Sequence, residues 1–342
     1  MFRAIIGIGL CAAAVAGLWA GGETLASRRL AELIAGDPAL QATSVQPLRE
    51  PPEFGLRIEE PGFSDPAGGL TLPWAIVRMS PGTPTTAHLD LPDEGQVTIA
   101  GQTHALGLEG PHAMIRLAPL KRLAPDHIDI MADQVTLDGA PVIEGLEVEL
   151  QMTRLGSDAP LAARAAYDAH LGLAAVRTAM LSRMGLNLQG IPEPASVSGS
   201  ILLWLDGTPA IRGQATPAIV GWQTEGLVVG AGALSLRVVG RVVRDKDGLA
   251  EGQVAIYTTD AGQIIDQASD MGLIPPSTRM LLNAGLGQLA KAQIDTELPG
   301  PEFPEPQDGQ MRLPVQMIDG QIRLGGIPIG PAPPFGALQG SI

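Results

Sequence analysis

Residues 219–258 read IVGWQTEGLVVGAGALSLRVVGRVVRDKDGLAEGQVAIYT, and this stretch decides the fold. Runs rich in valine and isoleucine alternate with glycines and with the pair Asp247-Gly248. β-Branched residues favour strands, and an Asp-Gly pair favours a tight turn because both residues tolerate a positive φ. The stretch therefore predicts antiparallel strands in succession: an edge strand, a long strand, a hairpin and a returning strand.

The same turn signal recurs along the chain, flanked by strand-like runs. Asp-Gly pairs occur at residues 138–139, 206–207, 247–248, 308–309 and 319–320. A type I′ turn requires a positive φ at both central residues. These pairs predict a meander of β hairpins. Turn chemistry explains the aspartates better than calcium binding does, because none of them follows the spacing of a calcium-binding loop.

The composition excludes several classes of protein. The 36 acidic residues outnumber the 22 basic ones, and a net charge of −14 disfavours nucleic-acid binding, which requires clustered Lys and Arg. The 43 glycines and 30 prolines suit short strands joined by tight turns. The only cysteine is Cys11, so the rest of the chain can form neither a disulfide nor a cysteine metal site.

The chain opens with Met-Phe-Arg and an almost unbroken apolar run over residues 4–20. A short basic start followed by about 17 apolar residues is typical of a secretory signal or a signal anchor. We therefore expect residues 1–22 to anchor a single-pass protein in the inner membrane, with the bulk of the chain in the periplasm. The alternative is cleavage after Ala16 or Ala20, which would release the protein into the periplasm.

Beyond the anchor, the patterns predict three segments. Residues 23–69 predict a short amphipathic helix, ended by Gly36, and a linker rich in Pro, Gly and acids. Strand-like runs follow in a first sheet half over 70–195 and a second over 196–342. The fold class is α+β and mainly β. We expect a large curved antiparallel sheet with one or two helical segments packed on its concave face, plus the N-terminal membrane helix.

Two helical interruptions are expected, one in each sheet half. A helix over 161–184 is predicted from an apolar stripe at helical spacing, formed by Leu173, Val176, Met180 and Met184. The other interruption lies within 261–292, where Pro275-Pro276 divides it into two helices and Ser277 is the expected cap of the second.

Few residues are candidates for a site. Trp74, Trp204 and Trp222 lie in strand-like runs, where a large ring is typical of a core and would otherwise line a groove. Two groups combine histidine with acids, namely His88 with Asp90, Asp93 and Glu94, and His127 with Asp126 and Asp129. Proximity in sequence does not supply three converging ligands, so we interpret both groups as surface loops. Known catalytic and cofactor motifs are missing, and we expect no catalytic, metal or cofactor site.

Residues 219–258 and the closing stretch PVQMIDGQIRLGGIPIG at 314–330 carry a family resemblance. Together with the apolar opening run and the double helix, they resemble the alphaproteobacterial Domain of Unknown Function family 2125. The ending is also similar to that of AsmA-like envelope proteins, which are anchored in the inner membrane and extend into the periplasm. The resemblance implies a location and an architecture. It transfers no site, because the family has no assigned activity.

These observations predict a membrane-anchored, non-enzymatic periplasmic protein of envelope homeostasis whose sheet groove binds a lipid or another hydrophobic ligand. The apolar, aromatic-poor strand faces and the anchor motivate this hypothesis. One alternative is an interaction scaffold with a filled core that binds another envelope protein. A further alternative is a hydrolase with a site assembled from distant residues. The first two differ in one feature, which is whether the protein's own helices cover the concave sheet face.

Overall fold

A computed structural model gives the fold. It describes residues 22–50, 52–65, 68–121, 123–184, 191–209, 217–270, 275–289, 292, 294–295, 298–307 and 309–336. The apolar run over 4–20, with its expected anchor, lies outside these residues. None of the helices within the described ranges combines the length and the apolar character needed to span a membrane.

The described part of the chain is mainly β, with twenty strands, and the strand pairs named below are antiparallel. The chain forms two units that interleave along the sequence. The first comprises Met1–Met152, Leu173–Leu186 and Thr208–Thr216, and the second comprises Thr153–Gly172, Asn187–Gly207 and Pro217–Ile342.

Among the described residues, the first unit includes an N-terminal helix, most of the short strands and, after residue 172, the end of a further strand and a second helix. Helix α1 occupies residues 22–36. The strands are β1 (Leu40–Gln41), β2 (Ser44–Pro47), β3 (Phe54–Glu59), β4 (Gly62–Asp65), β5 (Gly68–Thr71), β6 (Trp74–Met79), β7 (Thr86–Asp90), β8 (Glu94–Ile99), β9 (Gln102–Glu109), β10 (His112–Ala118), β11 (Ala124–Leu137) and β12 (Ala140–Thr153).

Strand β11 connects the other strands of this unit, because it pairs with three of them. Along one edge, its first half pairs with β10 and its second half pairs with β9, while β12 pairs along the other edge. From β10 the pairing continues through β7, β6 and β3 to β2. From β9 it continues through β8, β5 and β4 to β1. Two rows of short strands therefore share one long strand.

Strands β1 to β4 correct the expected linker over 23–69. The helix part of that prediction agrees with α1, but most of the remaining residues pair as strands. These strands are only two to six residues long, so they show no readable alternation. Their regularity comes from backbone pairing with other strands, which a local pattern does not record.

Helix α1 packs on the core of the first unit. Ala26 and Leu30 are each only 1% exposed, and they join a cluster that includes Leu56 of β3, Val77 of β6 and Ile115 of β10. Apolar residues on one stripe of α1 therefore cover one face of the sheet, as expected for an amphipathic helix.

Strand β13 (Ala165–Val176) and helix α2 (Thr178–Arg183) replace the helix predicted over 161–184. The prediction is wrong for most of its length, because only six residues are helical. Backbone hydrogen bonds hold the ends of β13, from Arg164 N–H to the Leu205 carbonyl and from Arg177 N–H to the Val142 carbonyl. Alanine-rich segments fit either structure, and pairing with distant strands decides between them here.

A meander forms the second unit. Its strands are β14 (Ala195–Leu205), β15 (Ile219–Ala231), β16 (Leu234–Arg244), β17 (Ala250–Thr258), β18 (Met311–Ile318), β19 (Gln321–Leu324) and β20 (Ile327–Pro331), and each pairs with the next. The antiparallel succession predicted for 219–258 is confirmed by β15, β16 and β17, but the expected edge strand is wrong because β15 pairs with both β14 and β16. The last strand, β20, carries Pro328 and Pro331 opposite Arg323 and Gln321.

Two of the Asp-Gly pairs form the predicted tight turns. Asp138 and Gly139 have φ values of 51° and 78°, and they join β11 to β12 between the paired residues Leu137 and Ala140. Asp319 and Gly320 have φ values of 53° and 71°, and they join β18 to β19. A positive φ at both central residues is the requirement of a type I′ turn.

Two other Asp-Gly pairs lie in connections longer than two residues. Asp206-Gly207 begins a long connection between β14 and β15, and Asp247-Gly248 lies within residues 245–249 between β16 and β17. In the latter connection it is the Asp245 carboxylate that accepts the N–H groups of Asp247 and Leu249. The two-residue turn is therefore wrong at both places. Asp308 lies outside the described residues.

Three helices follow β17, within the expected interval 261–292. They are α3 (Ala261–Asp270), α4 (Pro276–Ala284) and α5 (Leu286–Leu289). Ile265, Leu282 and Leu289 are buried against Leu313 of β18 and Leu324 of β19. The expected cap at Ser277 is wrong. Pro275 is the N-cap and Pro276 is the first helical residue, where the missing N–H costs nothing.

We predict that Leu30→Ala lowers the free energy of unfolding by about 2–5 kcal/mol, because it opens a cavity beneath α1. Leu33→Ala is the matched control on the same helix, since Leu33 is 50% exposed. The control should cost less than about 1 kcal/mol. Urea unfolding of the full chain in detergent, followed by tryptophan fluorescence, measures both variants. Equal losses would contradict the packing of α1 on this core.

Candidate functional site

The three tryptophans proposed from the sequence lie in different surroundings. Trp74 is in β6 of the first unit, where the guanidinium carbon of Arg57 lies 5.7 Å from its ring centroid. Trp204 is in β14 of the second unit and is only 1% exposed. Trp222 is in β15 of the same unit and is partly buried.

Trp204 and Trp222 lie on opposite faces of the meander. Trp204 is directly opposite Gly221, and residues directly opposite each other in a pair share a face. Trp222 follows Gly221 and therefore points to the other face. Packing agrees, because Trp204 lies among Ala163 and Ala166, whereas Trp222 packs on a separate cluster. The two rings do not line one groove.

The Trp204 face carries a row of polar side chains that the sequence reasoning missed. One register position continues across five strands, so that each residue is opposite the next. The row consists of Gln223 (β15), Arg241 (β16), Gln253 (β17), Gln316 (β18) and Arg323 (β19). We call it the polar row.

Arg241 is the central charge of the polar row and is 8% exposed. Its Nε and Nη2 atoms donate to the main-chain carbonyl of Asp158, at 3.1 and 2.8 Å. Its guanidinium carbon lies 5.3 Å from the ring centroid of Trp204, within the range of a cation–π interaction. Burial lowers the pKa of Arg241, and the carboxylates of Asp158 and Glu251 oppose that shift. Arg241 thus holds the irregular segment around Asp158 on the sheet.

Gln253 holds a second irregular segment. Its side-chain amide donates to the Asp295 carbonyl at 3.3 Å and accepts the Asp295 N–H at 3.1 Å. Gln316 also donates to the same Gln253 oxygen at 2.9 Å. The side chain therefore satisfies both main-chain groups of one residue, as a neighbouring strand would.

Tyr257, four residues after Gln253 in β17, also binds the main chain of an irregular segment. Its hydroxyl donates to the Pro304 carbonyl at 2.7 Å, and Arg312 donates to the same carbonyl at 3.4 Å. Burial is the main cause that raises the pKa of Tyr257, so the hydroxyl keeps its proton and remains a donor. Phe303 packs nearby on Val239 and Ala255.

The polar row therefore binds main chain. Arg241 binds the Asp158 carbonyl and Gln253 binds both main-chain groups of Asp295, while Gln316 donates to the Gln253 side chain. Two buried atoms, Trp204 Nε1 and Gln223 Oε1, have no hydrogen-bond partner in the part of the chain that the structure describes. Buried polar groups usually find a partner, so both atoms are places for ordered water.

Most residues of the two histidine and acid groups lie in strands, which corrects the interpretation as surface loops. They are His88 and Asp90 in β7, Glu94 in β8, and Asp126, His127 and Asp129 in β11, whereas Asp93 lies in the connection before β8. Their partners are ionic: Asp126 pairs with Arg116 at 2.9 Å, and Asp90 pairs with Arg78. Within the described ranges, no group of three or more His, Cys, Asp or Glu side chains is arranged to hold a metal ion.

His104 and Asp138 form the other polar contact of interest, in the first unit. His104 Nδ1 lies 2.8 Å from Asp138 Oδ2, and Asp138 Oδ1 accepts the Ala105 N–H at 2.9 Å. The His104 contact and the Ala105 N–H both lower the pKa of Asp138 below its ordinary value of 3.8. The turn between β11 and β12 is therefore attached to β9 by its own aspartate.

One signal for the polar row was present in the sequence. Arg241 is a single charge inside the apolar run Val238–Val243, and a charge there is either exposed or held by a partner. The partners could not be identified from the pattern, because Asp158 and Asp295 are far from Arg241 and Gln253 in sequence. Register across five strands places these residues together.

We predict that Arg241→Met lowers the free energy of unfolding by about 1–3 kcal/mol, because the Asp158 carbonyl loses both hydrogen bonds from the buried guanidinium. Arg237→Met is the control on the same strand and face, since the Arg237 contact with the Glu225 carbonyl is exposed. Urea unfolding of both variants tests the difference. A loss from Arg237→Met as large as that from Arg241→Met would contradict the role given to the buried guanidinium.

We predict that Asp138→Asn removes part of the acid sensitivity of the protein. A lowered pKa in the folded state means that the ionised carboxylate stabilises the fold above its unfolded pKa, and that this contribution is lost as the pH falls through the folded pKa. Asparagine still tolerates the turn conformation. The difference in stability between wild type and variant should therefore shrink between about pH 5 and pH 2. Thermal unfolding across this range measures it, and a constant difference would refute the assignment.

Comparison with known proteins gives one result. No curated protein and no solved structure matches the chain. A family model does match, over residues 51–333, and this range includes most of both units, the polar row and the His104–Asp138 contact. The chain belongs to the family described as an uncharacterized protein conserved in bacteria (DUF2125).

Proposed function

We propose that the protein is a non-enzymatic scaffold of the cell envelope, anchored in the inner membrane by residues 4–20, with its β units in the periplasm. The observation that carries this proposal is that the protein's own segments cover the sheet faces that would otherwise bind a ligand. The apolar run and the acidic, cysteine-poor remainder support the location.

The first unit fills its own apolar face. Ala26 and Leu30 of α1 lie on Leu56, Val77 and Ile115, and these side chains are at most 2% exposed. A hydrophobic ligand on this face would have to displace α1 from its packing. The volume that a carrier protein keeps for its ligand is here part of the core.

Part of each face of the meander in the second unit is also covered. Helices α3 to α5 bury Leu313 and Leu324 on one face. On the other face, Val239 and Ala255 are fully buried, with Phe303 of an irregular segment packed on them. Segments of the protein itself therefore occupy the space in which a lipid would bind. This favours the scaffold over a lipid carrier.

The polar row supports a structural role in the same way. Its buried groups bind main-chain carbonyls and N–H groups of the covering segments, and so they fix the surface that a partner would meet. Catalysis needs a nucleophile or base presented to a substrate, whereas these groups are engaged within the protein.

Two fully exposed leucines are the proposed contact points for a partner. Leu120 lies in the turn Pro119–Lys121 and is 100% exposed. Leu161 lies in the connection before β13 and is 98% exposed. An apolar side chain at the tip of a connection adds nothing to the core, and it gains free energy when a partner buries it.

We predict that a photo-crosslinking amino acid at position 120 or 161 yields one discrete protein adduct in living cells. The same group at Asp247, an exposed polar site, is the control and should yield none. Replacing the leucine at the other position with serine should weaken the adduct if both contact one partner. Absence of a discrete adduct at both leucines would contradict the scaffold proposal.

Native mass spectrometry of the full chain in detergent separates the scaffold from a lipid carrier. A scaffold should appear at the mass of the polypeptide alone. A carrier would retain a bound lipid in fixed stoichiometry, and detection of such a complex would overturn the proposal.

A further inference from the structure

Helix α1 has two faces of different character. Its inner face, with Ala26 and Leu30, packs on the core. Its outer face carries Leu25 and Leu33, which are 46% and 50% exposed, and the exposed residues Arg28 and Arg29 between them. Positions 25, 29 and 33 are spaced by four residues and therefore form one stripe. We call Leu25, Arg28, Arg29 and Leu33 the outer stripe.

Gly22 stands between the rest of α1 and the apolar run of the sequence. Gly22, at the start of α1, has a φ of +70°, a left-handed value that interrupts a right-handed helix. Gly21 precedes it, and the run over 4–20 ends immediately before this pair.

Immediately after Gly22, hydrogen bonds of Glu23 attach the start of α1 to the first unit. The Glu23 carboxylate accepts the Gly55 N–H at 2.8 Å and the Arg49 N–H at 3.2 Å. With Ala26 and Leu30 in the core, α1 cannot swing away from the sheet without breaking these contacts. A membrane-spanning run that ends at residue 20 would therefore leave almost no free chain between the bilayer and the first unit.

The charges on α1 also favour a position close to the bilayer. The chain carries a net charge of −14, yet the first charges after the apolar run include the adjacent Arg28 and Arg29. Arg29 pairs with Glu32 at 3.1 Å, and both side chains are more than 65% exposed, so water weakens this pair. Two arginines between two exposed leucines resemble the composition of helices that lie in a lipid interface.

We propose that the outer stripe of α1 lies on the anionic surface of the bilayer that residues 4–20 enter, so that the first unit rests on the membrane. This inference depends on the anchor in the proposed function. Leu25 and Leu33 enter the interface, and Arg28 and Arg29 bind lipid phosphates. The turn at Gly22 allows a run that crosses the bilayer to be followed by a helix that lies along it.

Quenching by brominated lipids tests this arrangement in the full chain. The background is Cys11→Ala, with Leu33→Cys carrying an environment-sensitive fluorophore. The protein is reconstituted in nanodiscs of phosphatidylcholine and phosphatidylglycerol with brominated acyl chains. Gln102→Cys, an exposed site on β9 of the same unit, carries the control fluorophore. We expect strong quenching at position 33 and little at position 102.

A charge variant tests the role of the lipid surface. Arg28→Gln with Arg29→Gln should lower the ratio of docked to undocked helix about thirtyfold, given the usual contribution of an arginine at an anionic surface. Quenching at position 33 should fall accordingly, with the melting temperature unchanged because both side chains are exposed. Nanodiscs of phosphatidylcholine alone should produce a similar fall.

The outcomes are distinct. If the protein stays in the nanodisc but position 33 is quenched no more than position 102, the docking of α1 is refuted and the anchor stands. If the protein is not retained in the nanodisc, or if its mature N-terminus in cells begins after residue 16 or 20, the anchor itself is refuted, and the docking with it.

Discussion

Backbone hydrogen bonding between neighbouring antiparallel strands is the interaction on which this protein depends. A chain with one cysteine has no internal disulfide to stabilise it, so pairing and apolar burial must do so. In the first unit this dependence concentrates on β11, which pairs with β9, β10 and β12. A shift of one residue in β11 would turn its apolar side chains to the wrong face in all three pairings at once.

Polar side chains supply hydrogen-bond partners for main-chain groups that do not pair between strands. Irregular segments carry N–H and carbonyl groups that need partners when they are buried. Gln253 supplies both partners to Asp295, Arg241 supplies two donors to Asp158, and Tyr257 supplies one to Pro304. The polar row thus allows segments without secondary structure to pack on a sheet, and this packing fills the space that a ligand would need.

Local signals in the sequence predicted the features that depend on local chemistry. Asp138-Gly139 and Asp319-Gly320 form the expected turns, and the valine-rich strands of residues 219–258 pair as expected. The failures depend on partners far away in the chain. The stripe from Leu173 to Met184 fits a helix, yet Leu173 and Val176 lie in β13 and only residues 178–183 are helical, because distant strands offer hydrogen bonds to the first part of the segment. The polar row was not predicted for the same reason, since only the register of the strands brings Arg241, Gln253 and Gln316 together.

The prolines of β20 have a consequence for how the protein can assemble. A terminal strand with free backbone groups invites another chain to pair with it, which leads to fibres or uncontrolled aggregates. Pro328 and Pro331 have no N–H to donate, and they lie on the last strand of the meander. The second unit is thereby protected from growth at this edge. Partners must instead recognise side chains on its faces and connections, which favours discrete complexes over polymers.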